Sequence, residues 1–116
     1  MAQTVDSILY AALSAVLPTW NSVKEDAGDG VVEECYYVFN YSTYGTGYAD
    51  DDPTGDVYIV QVHLFAPIGQ NISSLKKQTK LLLHEAGFTW PEITNTTDEK
   101  GRHIVFECQY VEGLDL

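Results

Sequence analysis

Three adjoining stretches decide the fold of this chain: VYIVQVHLF (57–65), NISSLKKQTKLLLHEAGF (71–88) and HIVFECQYV (103–111). In the first, Tyr58, Val60, Val62 and Leu64 are apolar, while Gln61 and His63 point the other way. In the last, Ile104, Phe106, Cys108 and Tyr110 alternate with His103, Glu107 and Gln109. A period of two predicts antiparallel strands, over about 56–66 and 103–111, covered on one face only. The middle stretch predicts the cover. Asn71 is read as N-cap and Gly87 as the C′ residue of a helix, with Ile72, Leu75, Thr79, Leu82, Leu83 and Ala86 on its buried stripe.

Working outward, Thr4 is read as N-cap of a first helix over about 5–17, ended by Pro18. Its apolar face is Val5, Ile8, Leu9, Ala12 and Val16. Residues 19–30 read as a loop with a short turn at Asn21–Lys24. Strand one covers about 32–41 and contains CYYVFNY (35–41). STYGTGYADDDPTG (42–55) then reads as a long loop, or as an extended β-hairpin arm. FTWPEI (88–93) reads as a short edge strand because of Pro91, and NTTDEKG (95–101) as a turn. The expected fold is a single α+β domain over residues 1–116, in the order α-β-β-α-β-β. Its antiparallel, mostly four-stranded sheet carries two helices.

The 116 residues include 17 acidic and 6 basic ones, a net charge of −11. A surface this acidic repels phosphate backbones, so direct nucleic-acid binding is not expected. The N-terminal apolar run lacks a basic flank and is too short and interrupted to span a bilayer, which predicts a protein that is cytosolic when made. Cys35 and Cys108 read as small side chains in a reducing compartment.

No catalytic, metal or cofactor pattern emerges from the sequence. Asp50, Asp51, Asp52 and Asp56 lack the alternating ligands and central glycine of a calcium loop, and Pro53 obstructs one. His63, His103 and Glu107 share a sheet face without a zinc spacing. Ser73 and Ser74 are not in a phosphate loop, and there is no GxSxG. Lys76, Lys77 and Lys80 are half of all the basic residues. Lys76, Lys80 and His84 follow i, i+4 spacing and are expected on one helix stripe opposite the leucines. They are candidates to face an acidic surface of another copy, at Asp50–Asp52 or at Glu33 and Glu34. Tyr44 and Tyr48, in the long loop, are candidate interface anchors.

This layout resembles the tail terminator, or tail completion, proteins of long-tailed bacteriophages and prophages. The likeness rests on the N-terminal helix, the polar gap, the YYVFNY strand with its long loop, VYIVQVHLFAP, NISSLKKQTKLLLHEAGF and HIVFECQYVEG. It covers nearly the whole chain and is one of layout and strand texture. It implies a non-enzymatic virion protein, made in the host cytoplasm and located in the tail. Such a protein forms a six-membered ring that caps the tail tube, ends its polymerisation and presents a surface to the head–tail connector. The partners implied are further copies of the chain, the tail-tube protein and the connector, with no membrane. Loop 42–55 is the segment implied in ring or tube contacts. Another neck, head-closure or minor tail protein is the nearest alternative, and a small ferredoxin-like ligand-binding or enzyme domain is the alternative of a different class.

Overall fold

The computed structural model describes residues 4–22, 30–46 and 55–112. Helix α1 spans Val5–Leu13, and the Thr4 hydroxyl caps it by accepting the Ser7 N–H at 3.2 Å. It stops four residues short of the expected end. The residue before Pro18 is disfavoured in helical conformation, and the N–H groups of Val16 and Leu17 both turn back to the Leu13 carbonyl. The Ser14 hydroxyl donates to the Tyr10 carbonyl at the same turn.

The chain then enters a strand that the sequence reading missed. β1, Thr19–Asn21, runs parallel to β2, Tyr36–Thr46. Three residues are too few to display a period of two, and the strand exists through its partner. Trp20 packs edge-on against Tyr36, with ring centroids 5.7 Å apart. With β3 at Gly55–Ala66, β4 at Glu92–Asn95 and β5 at Arg102–Glu112, the sheet is therefore five-stranded and mixed rather than four-stranded and antiparallel, in the order β1-β2-β3-β5-β4.

β2 pairs with β3, Gly55–Ala66, in unbroken register from Tyr36↔Phe65 to Thr46↔Gly55. Strand one thus starts at Tyr36 instead of 32. Residues 42–46 and 55, expected in a loop or in a hairpin arm continuing past the sheet, are in strands, and they stay within the sheet because β5 pairs with β3 as far as Asp56↔Glu112. β3 pairs on its other side with β5, Arg102–Glu112, from Asp56↔Glu112 to Ala66↔Arg102. Burial falls off along β2: Tyr37 and Phe39 are buried, whereas Tyr41, Ser42 and Thr43 are exposed, although Val60 and Cys108 beside them in β3 and β5 stay buried.

α2 spans Ser73–Glu85. Ile72 occupies the cap position, one residue after the expected Asn71, whose Oδ1 still accepts the Ser73 N–H at 3.0 Å. The C-terminus is a Schellman motif. Gly87, at φ +106°, donates its N–H to the His84 carbonyl, and Phe88 donates to that of Leu83. The motif consumes Phe88, which is buried, and Pro91 is buried as well. The edge strand β4 consequently begins later than expected and spans Glu92–Asn95.

Both helices lie on one face of the sheet. Val5, Leu9 and Leu13 from α1 and Leu83 from α2 share a core with Tyr37, Phe39, Val60, Val62, Leu64, Ile104 and Phe106. Truncating a fully buried leucine such as Leu83 to alanine costs about 2–5 kcal/mol in a core of this kind. Among the described residues no helix is long and apolar enough to cross a membrane.

Candidate interaction surfaces

α2 leans over the edge of the sheet. Its lysines, of which Lys77 and Lys80 are exposed, border β4. Ser73, Lys76, Lys77 and Lys80 form one wall of a groove of about 320 Å³, and Ile93 of β4 forms the other. A neighbouring cleft of similar size continues it past Asn71, Asn95 and Arg102. Four of the six basic residues of the chain therefore line one strip between α2 and β4.

The far end of the strip is aromatic. His84 stacks on Trp90 at 3.7 Å between centroids and 8° between planes. Lys80 Nζ stands 5.5 Å over the same indole, a cation–π contact that fixes the ammonium beside the groove. Trp90 remains 52% exposed. The lysine cluster was legible in the sequence, but the Trp90 contact was not, because residues 80, 84 and 90 meet only after the chain turns at Gly87.

The sheet face away from the helices carries a second cluster. Tyr36 stacks on Phe65 at 4.9 Å, and Phe65 stacks on His103 at 4.3 Å. His63 Nδ1 lies 2.7 Å from His103 Nε2, and the Asn40 side-chain amide lies 3.2 Å from His63 Nε2. An amide donating to His63 Nε2 places the His63 proton on Nδ1, from which it donates to His103. Burial pushes both imidazoles below their ordinary value of 6.5; the His103 charge lowers His63 further, while Asp98 works in the opposite direction on His103. Both rings are therefore neutral near pH 7. Glu107 shares this face but is exposed. Among the described residues no group of three or more His, Cys, Asp or Glu side chains is arranged to hold a metal ion.

Tyr44 falls in β2, paired with Val57. Its side chain and the whole of Tyr48, Asp50, Asp51 and Asp52 lie outside the described residues. Glu33 and Glu34 are exposed in the segment before β2. Cys35 also precedes β2 rather than lying in it, and its sulfur accepts the Gln70 side-chain amide at 3.2 Å. Cys35 and Cys108 are both free thiols. No protein-family model matches the chain, and no curated protein matches it.

Proposed function

We propose that this protein is a non-enzymatic structural part of a long-tailed phage, a tail terminator. As a ring it caps the tail tube, ends tube polymerisation and offers a surface to the head–tail connector. The observation that carries the reading is the length of the β2–β3 hairpin, whose register runs unbroken out to Thr46↔Gly55 and whose outer β2 residues Tyr41, Ser42 and Thr43 are exposed. The hairpin occupies the place in the chain order where the family resemblance implies an arm for ring and tube contacts.

The charge distribution supports the same reading. A closed ring needs two different patches that meet head to tail. Here an acidic subunit carries one basic strip, along Lys76, Lys77, Lys80 and Arg102. The strip meets acidic residues of the adjacent subunit. Exposed ion pairs contribute roughly 0–1 kcal/mol each, so they set register and rate more than affinity.

Co-expression with the tail-tube protein encoded beside it tests the function, with tube length read by negative-stain electron microscopy. Short capped tubes, where tube protein alone grows long ones, are the expected outcome. Unchanged tubes with bare ends would remove the terminator role and favour a connector-side neck protein.

A further inference from the structure

Among the described residues the edge strands of the sheet are β1 and β4, and their outward backbone groups match. Just past the end of β4, the Thr96 N–H donates to the His103 carbonyl at 2.7 Å. Antiparallel pairing uses alternate residues, so Thr94 and Glu92 also face β5, and Ile93 and Asn95 turn their N–H and C=O groups outward. In β1, the Pro18 carbonyl accepts the Tyr37 N–H at 2.9 Å, and the Ser22 N–H donates to the Phe39 carbonyl at 2.8 Å. The same alternation turns Thr19 and Asn21 outward. Both outward pairs carry their side chains on the helix side, since Ile93 pairs with Phe106 and Thr19 with Tyr37.

Direction matches as well. β1 runs with β2 and β5, and β4 runs against them. Two copies set side by side in one orientation would therefore join β4 to β1 as an antiparallel pair.

Charge selects this arrangement over its rival. A two-fold pairing of β4 with β4 would bring lysine groove against lysine groove, and would add two carboxylates to the Glu92–Glu107 cross-strand pair. The β1 edge carries the opposite sign. Asp6 of α1 accepts the Asn21 side-chain amide at 3.4 Å through Oδ2, while its Oδ1 is buried without a hydrogen-bond partner among the described residues. Asp6 and the lysine groove both sit on the helix side of the sheet.

We propose that the β4 edge and its lysine groove take the β1 edge of a second copy of this chain, so that the sheet continues head to tail from one subunit to the next. Ile93 and Asn95 exchange backbone hydrogen bonds with Thr19 and Asn21, and Asp6 approaches Lys76 and Lys80. The proposal rests on the ring reading above and names the edges through which such a ring closes.

The test is cross-linking with a short bis-maleimide in a Cys35→Ser background. Thr19→Cys and Asn95→Cys chains are used separately and mixed, alone at high concentration and on co-expressed tail tubes. Cross-linked dimer in the mixture, absent from either variant alone, is the expected result. Adding Ile93→Pro removes one outward N–H while sparing the β5 ladder. It lowers the yield at least tenfold in a chain whose melting transition shows that it is folded. Self-cross-linking of Asn95→Cys would mean two-fold pairing and overturn the proposal. No cross-link on tubes that are still capped would overturn the edge assignment and leave the terminator reading standing. A cross-link in the mixture with uncapped tubes would do the reverse, and failure of both would remove both.

Discussion

The Tyr37 hydroxyl lies 2.6 Å from Thr79 Oγ1, and it ties the second strand of the sheet to the middle of α2 inside the core. Thr79 gives its own proton to the Leu75 carbonyl at 2.8 Å, so Tyr37 is the donor. Both side chains are fully buried. Thr79→Val removes the acceptor that the Tyr37 hydroxyl has among the described residues and leaves a buried donor unmet. We expect a loss of about 1–3 kcal/mol, and about 1 kcal/mol for Tyr37→Phe. Urea denaturation of the two single variants and the double variant checks this, with the double less destabilised than the sum of the singles.

The His63–His103 pair predicts an acid-side loss of stability. The unfolded chain protonates at the ordinary value of 6.5, and the folded pair does so only at lower pH. The unfolded state thus binds more protons below about pH 6.5, and stability falls from there downward until the folded pair protonates. Above that pH the contribution is flat. Thermal midpoints measured from pH 7.5 to pH 5 should fall more steeply for the native chain than for a His63→Gln, His103→Gln variant. Equal slopes would rule the pair out as the cause.

Gly101 is a packing glycine. A Cβ there would lie 2.6 Å from Val32 Cγ2 and 2.9 Å from the Ala66 carbonyl oxygen. Neither neighbour can withdraw, because Val32 donates its N–H to the Lys100 carbonyl and Ala66 is in β3. Gly101→Ala should cost about 1–3 kcal/mol through overpacking, read as a lowered midpoint in chemical denaturation. An alanine variant as stable as the native chain would show that the segment before β2 can shift.

Reversing Lys76 and Lys80 to Glu should weaken self-assembly several-fold at low ionic strength, and much less near 1 M salt, where screening is nearly complete. Sedimentation across a salt series measures the effect. Assembly that ignores both the substitutions and the salt would remove the groove from the interface.

The two thiols should differ in reactivity. Burial pushes the Cys108 thiol up to about 12, with Glu107 adding to the shift. Cys35, just before β2, is half-buried. One thiol per native chain should react with a maleimide within minutes, with Cys108 following only on unfolding. Peptide mapping of the labelled chain decides it.

How far the sequence reached depended on whether a segment's structure is local. The alternation in β3 and β5, the leucine stripe of α2 and its glycine stop are properties of a few neighbouring residues, so each element was legible there. β1 was not legible, because a three-residue parallel strand takes its hydrogen bonds from Tyr37 and Phe39, some twenty residues on. The extension of β2 and β3 through residues 42–46 and 55 was hidden in the same way. Ser, Thr and Gly read as loop until the opposite strand, and β5 beyond it, hold them in register.

The sequence alone determined the charge, the cluster of three lysines on one helix, with Lys76, Lys80 and His84 on one stripe, and the one-sided sheet, since these follow from composition and period. Only the tertiary structure decided what the lysines face. The turn at Gly87 swings β4 beneath α2, which makes an exposed stripe into a groove with Ile93 and Trp90 at its border. It also decided which strands are edges, because the sheet order depends on pairing energies between distant segments that no local pattern records.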